Sequence, residues 1–196
     1  MEKADIRQQA LIFVKARNNL LAVIVFTVVN IILSAFNAGV NFLFSATSPL
    51  LVFELGKYFE SETENDFFMT VGLVIAFIII MIYFVFWILS KRERVFILVA
   101  LIFFIVDCLL LFWFILSTGF EASSLFDIAF HCWILYYLIN GVRAWFKMRE
   151  VDTDVFNNIM QEIKDNKESS AKTPVSEESN EESDEEKTED DNSTNQ

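Results

Sequence analysis

The sequence is short of the residues that end helices and strands. It has only five glycines and two prolines in 196 residues. Because these residues dominate tight turns, their scarcity argues against a fold of many short strands joined by turns. The apolar residues, 54% of the whole, therefore stand in long uninterrupted runs.

Cysteine and histidine are also scarce, with two and one residues. Cys108 and Cys132 both lie inside apolar runs, where a thiol acts as a small hydrophobic group, and no disulfide scaffold is indicated. His131 is the single histidine. The sequence also lacks a nucleophile elbow, a His-Glu-x-x-His zinc motif and a glycine-rich phosphate loop. We therefore predict no enzymatic activity, no cofactor and no metal.

Positive charge is in deficit, and the deficit is local. The net charge is −12, and the segment from Val151 onward carries fifteen acidic residues and four lysines, or −11 of that total. No dense basic patch exists, which argues against a nucleic-acid partner. Over residues 166–196 no apolar group offsets the cost of ordering the chain, so we predict a disordered acidic tail. Such a tail either keeps the protein soluble or binds a basic partner.

Four long apolar runs fill most of residues 1–150. A helix needs about 20 apolar residues to cross a hydrocarbon core about 30 Å thick, and open strand edges cannot be satisfied in lipid. We therefore predict an all-α fold, a four-helix transmembrane bundle formed by residues 1–150. The predicted spans are 20–44, 67–89, 95–116 and 125–142.

The flanks of these spans predict their orientation. Lysine and arginine collect before the first span, between the second and third, and after the fourth, which four crossings place on one side. On the other side Lys57 stands among acidic residues. Because basic loops stay in the cytoplasm, we predict a multi-pass cell-membrane protein with both termini cytoplasmic. Its partners would be the lipid bilayer and other membrane proteins.

Two shorter helices are predicted outside the spans. Ser48-Pro49 is a favourable helix start, with serine as N-cap and proline in the first turn, so we expect residues 48–59 to form a helix on the outer surface. A plain structured loop is the alternative there. After the fourth span, an amphipathic cytoplasmic helix is predicted over residues 151–165 from its one-sided apolar pattern.

Polar residues inside the spans form the candidate site. Ionisable groups are costly in a membrane and point to function, and three occur here: Asp107, Asp127 and His131. Asp127 and His131 are four positions apart and share a helix face. The first span adds a polar stripe on one face, spaced 4, 3 and 4: Asn30, Ser34, Asn37 and Asn41. We predict that these groups meet in the outer half of the bundle.

This polar cluster has three interpretations. As a structural element, it would hold helices together through hydrogen bonds of about 0.6–2 kcal/mol each, and this interpretation is favoured. As a cavity open to the outside, it would bind a proton, an ion or a small ligand. As a metal site it would use Asp107, Asp127 and His131, which are acceptable zinc ligands, although nothing in the sequence shows that they converge.

Small residues predict a close helix contact. Ala35 and Gly39 in the first span, and Gly72 and Ala76 in the second, are small-xxx-small pairs. Such pairs let helix backbones approach closely in membranes. We predict that the first two spans cross there.

Three stretches carry a resemblance to a group of known proteins. They are Arg17-Asn18-Asn19-Leu20, Asn41-Phe42-Leu43-Phe44-Ser45-Ala46 and Asp127-x-x-x-His131-x-Trp133. Across residues 10–150 the chain resembles small uncharacterised multi-pass membrane proteins of low-GC Gram-positive bacteria. The resemblance implies a bacterial cell membrane location and carries over no activity and no functional residue.

The sequence therefore predicts an integral membrane protein with an accessory or structural role. One alternative is a component of a transporter or channel with a polar intramembrane site. The scarcity of glycine and proline weighs against it, because broken helices commonly form transporter sites. The other alternative is a membrane-tethered interaction protein that acts through its acidic tail.

Overall fold

The computed structural model describes residues 2–38, 45–120 and 122–172, and the secondary structure in these ranges is entirely helical. The helices are α1 (Lys3–Ala35), α2 (Thr47–Thr63), α3 (Phe67–Leu89), α4 (Phe96–Thr118), α5 (Ala122–Lys147) and α6 (Thr153–Lys172). Four of them, α1, α3, α4 and α5, are long and apolar enough to cross a membrane. The predicted all-α fold with four candidate spans is confirmed for these ranges.

The outward faces of the candidate spans carry many large apolar side chains. On α3 and α4, large side chains are well exposed: 61% for Phe77, and 63% for both Leu109 and Trp113. A soluble protein rarely exposes contiguous apolar surface of this extent. The arrangement suits a membrane protein whose outer surface contacts lipid.

Helix α1 ends nine residues before the predicted end of the first span. Asn37 adopts the left-handed conformation, with φ of 50°. The N–H of Asn37 donates to the carbonyl of Ser34, and the N–H of Ala38 donates to the carbonyl of Leu33. This pair of bonds is the Schellman motif, which satisfies the last carbonyls of a helix and stops it. The predicted span limit at Phe44 was therefore wrong: the apolar pattern continues where the backbone turns.

Helices α2 and α3 form a tight antiparallel hairpin. A Cβ atom added to Gly56 would lie 2.8 Å from the carbonyl oxygen of Phe68 and 3.1 Å from the Cα of Gly72. Only glycine allows backbones to approach this closely. Gly72 therefore packs against α2, and Ala35 is exposed, so a crossing of the first two spans does not run through these two residues. Ala76 is buried in α3, and Gly39 lies outside the described residues.

Helix α2 begins inside the bundle. The backbone N–H groups of Thr47 and Ser48 donate to the carboxylate of Asp107, which is the middle residue of α4 with eleven residues on either side. The N–H of Ala46 donates to the hydroxyl of Thr27 in α1. The prediction of a helix on the outer surface was therefore wrong in depth. We call α2 a re-entrant helix, because it starts midway along the spans and runs back along α3 to the end at which α3 begins.

The basic ends of the helices are joined by one arginine. Arg94, between α3 and α4, donates to the carbonyls of Met148 at 3.0 Å and Val151 at 3.1 Å, just beyond α5. Its guanidinium lies 4.8 Å from the ring centroid of Phe156 in α6. Phe156 in turn packs edge-on against Phe13 of α1. Arg94 thus binds the last carbonyls after α5 and covers the buried start of α6.

Helix α6 is longer than its predicted range of 151–165. It continues to Lys172, into the segment predicted to be disordered. Extending an existing helix requires no new nucleation, so a polar segment with few helix breakers can continue it. The chain divides into two compact units, Met1–Met160 and Gln161–Gln196, and the remainder of the predicted tail, residues 173–196, lies outside the described residues.

Candidate functional site

Asp107 organises the centre of the bundle. Its side chain is 1% exposed, and its two carboxylate oxygens accept from the N–H of Thr47 at 2.9 Å and from the N–H of Ser48 at 2.7 Å. The first N–H groups of a helix have no partner within the helix, and the helix dipole places partial positive charge there. A carboxylate satisfies both requirements. Asp107 therefore anchors the start of α2 about 16 Å from either end of α4, at 1.5 Å per residue.

His131 completes this arrangement from α5. Its Nε2 lies 3.2 Å from the carboxylate of Asp107 and 3.2 Å from the hydroxyl of Thr47. Its ring stacks on Phe104, with centroids 5.4 Å apart and an interplanar angle of 14°, and meets the edge of Phe130. The histidine is 4% exposed. We call Asp107, His131, Thr47 and the backbone N–H of Ser48 the central cluster.

The other ring nitrogen of His131 fixes one proton. Nδ1 lies 2.8 Å from the backbone carbonyl of Asp127. A carbonyl can only accept, so the proton is assigned to Nδ1, which donates to it. Nε2 is then free to exist in two states. Without a proton it accepts from the hydroxyl of Thr47, and with a proton it donates to the carboxylate of Asp107.

The side chain of Asp127 stays outside the central cluster. Only its backbone carbonyl contacts His131, and its half-buried carboxylate forms no hydrogen bond with a residue that the structure describes. Within the described ranges, no group of three histidine, cysteine or acidic side chains lies close enough to hold a metal ion. The metal site that would use Asp107, Asp127 and His131 is therefore not formed there.

The predicted polar stripe of α1 divides between two places. Asn30, which is fully buried, donates from its amide to the hydroxyl of Ser45 at 2.7 Å, just before the start of α2. Ser34 lies about a turn further along and faces the side of α2. Asn37 is exposed beyond the end of the helix, and Asn41 lies outside the described residues. Among the described members of the stripe, Asn30 is therefore the one that bonds next to the start of α2.

A second polar cluster connects α1 to the middle of α2. Ser34 donates from its hydroxyl to the carboxylate of Glu54. The ammonium of Lys57 donates to the carbonyl of Ser34 at 3.1 Å and to the side-chain oxygen of Asn37 at 3.0 Å, and lies 3.7 Å from Glu54. We call Ser34, Asn37, Glu54 and Lys57 the outer cluster. It fastens α2 to α1, while Asp107 fastens the start of α2 to α4.

Sequence reasoning missed the α2 side of both clusters. Glu54 and Lys57 belong to the predicted surface helix of residues 48–59, and Thr47 directly precedes it. Thr27 was missed on α1, although it lies three positions before Asn30 and on the same buried face. Its hydroxyl donates to the carbonyl of Val23 and accepts from the N–H of Ala46. Extending the polar stripe back by one turn was the available signal.

One buried polar group near the central cluster is unsatisfied. The hydroxyl of Tyr83 in α3 has no hydrogen-bond partner among the described residues, and the residue is 2% exposed. Its ring packs edge-on against Phe103, with centroids 5.0 Å apart, which places it one turn from Asp107 along α4. Buried hydroxyls usually have a partner, so the interior of the bundle retains an unused donor and acceptor close to Asp107.

Comparison with known proteins returned no match: no family model, no curated protein and no solved structure corresponds significantly to this chain.

Proposed function

We propose that the protein binds a proton at the central cluster and uses it to control the re-entrant helix, as a component of a membrane transport system. The observation that carries this proposal is the position of His131 Nε2, 3.2 Å from both Thr47 and Asp107. A proton added at Nε2 changes its partner from a hydroxyl to a carboxylate. Both partners belong to the anchor of α2.

The mechanism follows from the hydrogen bonds at the anchor. While Asp107 is ionised, it accepts from two backbone N–H groups and holds the start of α2. A proton on Nε2 gives Asp107 a third hydrogen-bond donor and a compensating positive charge, and both hold the carboxylate more firmly in its position. A proton on Asp107 itself would weaken its attraction for the helix start, because a neutral carboxyl interacts less with the dipole. A proton on His131 thus holds α2 more tightly, whereas a proton on Asp107 loosens it.

A transport role is favoured by the position of the helix start. Secondary transporters place the N-termini of half-helices near the bilayer midplane, where they face anionic groups. Here the anionic group is the protein's own carboxylate. An anionic substrate would have to compete with Asp107 for the same N–H groups, which gives proton binding and substrate binding a common element.

Nuclear magnetic resonance can test the proton site, because the chain has a single histidine. With ¹⁵N-labelled protein in nanodiscs at a series of pH values, the imidazole nitrogens of His131 distinguish the neutral ring from the protonated ring, and we expect both forms to be observed. The amide signals of Thr47 and Ser48 should move with the same midpoint, since both N–H groups donate to Asp107. Asp127→Asn should retain this coupling, because the side chain of Asp127 is not part of the anchor.

Asp107→Asn provides the opposite control. It should separate the amide signals of Thr47 and Ser48 from the titration of His131, because the charged acceptor is gone. If His131 kept one protonation state throughout, or if the two amides did not follow it in the wild type, the proposed proton control would be wrong.

An accessory or structural role is the second candidate. It is favoured by the closure of the central cluster, in which Asp107, His131 and Thr47 are bonded to one another. The variant His131→Gln distinguishes the structural role from the proton-dependent role, because glutamine can form hydrogen bonds but cannot gain a proton. If the variant folds normally and complements a deletion strain, the role is structural. If it folds normally and fails to complement, the cluster must titrate in order to work.

We also propose a cell-membrane location with both termini in the cytoplasm, supported by the basic residues at one end of the spans. A reporter fused after Gln196 should be active in the cytoplasm and inactive outside. A reporter inserted after Glu62, near the end of α2, should show the reverse. Reporters with the same sidedness at both positions would contradict four crossings, and an exchanged pattern would contradict the orientation.

A further inference from the structure

A groove lies between the first part of α1 and the last part of α5. It has a volume of about 470 Å³. Its polar lining consists of Gln8 and Gln9 from α1 and of Asn140, Arg143 and Lys147 from α5. Ile12 and Phe146 supply its apolar lining. We call this the basic groove.

The charge of the basic groove has one sign. Arg143 and Lys147 are four positions apart and therefore share a face of α5, and no acidic residue lines the groove. Neither side chain forms an ion pair or a hydrogen bond with a described residue. Two cations next to three side-chain amides, with no acidic side chain in the lining, suit an anion that carries additional hydrogen-bonding groups.

The level of the groove favours a lipid as the source of that anion. The groove lies at the basic end of two candidate membrane spans, just beyond the point where Gly141 packs on Ala16. Trp145 packs on Phe146 of the lining, with ring centroids 4.5 Å apart, and tryptophan is enriched at the headgroup level. Phe146 is 54% exposed, so the apolar side of the groove opens toward the surrounding lipid.

We propose that the basic groove binds the headgroup of an anionic phospholipid. Arg143 and Lys147 would pair with the phosphate, since arginine suits phosphate geometry and lysine supplies a point charge. Asn140, Gln8 and Gln9 offer donors and acceptors to headgroup hydroxyls. Ile12 and Phe146 border the start of the acyl chains. The inference assumes that α1 and α5 cross a bilayer, and it is independent of the proton site.

Native mass spectrometry of the full chain in detergent tests this site. With equal amounts of phosphatidylglycerol and phosphatidylcholine, the wild type should retain one phosphatidylglycerol preferentially. Arg143→Gln combined with Lys147→Gln should weaken that binding by about tenfold or more, because each cation near a membrane surface attracts anionic lipid. Lys15→Gln combined with Arg149→Gln, which removes two exposed cations outside the groove, should leave the binding unchanged.

The charge-preserving variant keeps the test decisive. Lys147→Arg should retain the lipid. If the double variant folds poorly, the single variants Lys147→Gln and Lys147→Arg are compared with each other instead. Equal retention by Lys147→Gln and Lys147→Arg would overturn the proposal. So would equal binding of the two lipids by the wild type. If soluble glycerol phosphate displaced the bound phosphatidylglycerol at equal concentration, the site would be one for a free phosphate ester and the lipid assignment would fail.

Discussion

Replacing Asp107 with alanine should lower the free energy of unfolding by about 3–5 kcal/mol, the range for breaking a buried charged pair. The substitution leaves the N–H groups of Thr47 and Ser48 without their acceptor in the middle of the bundle. It also removes the carboxylate partner of His131. Water cannot replace these bonds within hydrocarbon. The loss should be visible as a lower unfolding midpoint in detergent, followed by circular dichroism.

Asp127→Ala is the matched control for this measurement. It removes the same group from a spanning helix, but the carboxylate of Asp127 has no hydrogen-bond partner among the described residues, so the expected change is below about 1 kcal/mol. Asp107→Asn should fall between the two variants, because an amide retains one acceptor oxygen. Equal stabilities of the two alanine variants would show that Asp107 does not anchor α2.

Replacing Gly141 with alanine should destabilise the protein by about 1–3 kcal/mol, the usual cost of overpacking a core. A Cβ at this position would collide with the Cβ of Ala16 on α1 and would lie 3.9 Å from the Ala16 Cα. A methyl group on a helix backbone has no torsion through which it can move away. The two helices would have to separate at this contact, and the unfolding midpoint should fall.

A compensating exchange identifies the cause. Ala16→Gly combined with Gly141→Ala restores the space and leaves the number of helical glycines unchanged, so helix propensity cancels to first order. The double variant should recover most of the lost stability. If it unfolded at the same midpoint as Gly141→Ala alone, the loss would arise elsewhere than in the contact with Ala16.

The parts of the fold that the sequence predicted are those set by hydrophobic length. The range predicted for the second span, 67–89, coincides with α3, because its limits are marked by charged and polar residues on both sides. The end of α1 was missed because a Schellman motif at Asn37 depends on backbone geometry. The apolar pattern continues through Phe44 and gives no sign of the turn.

The central cluster was only half visible in the sequence. Asp107 and His131 were identified because ionisable residues stand out against an apolar span. Their partner was missed because the start of α2 supplies backbone N–H groups, which every residue except proline carries and no pattern distinguishes. The Ser48-Pro49 pair predicted a helix start close to the observed one, although the N-cap is Ala46 and not Ser48. The depth of this start depended on an acceptor 59 residues further along the chain.

The position of α2 also determines when the protein can finish folding. Two of the groups that hold its first turn, Asp107 in α4 and His131 in α5, follow Thr47 by 60 and 84 positions. During synthesis, α2 therefore emerges well before its acceptors exist, and uncapped N–H groups cannot enter hydrocarbon on their own. The N–H groups of Thr47 and Ser48 therefore gain their acceptor only once α4, which carries Asp107, is in place. The centre is complete only when α5 adds His131, so a chain truncated before this residue would lack the group that contacts both Thr47 and Asp107.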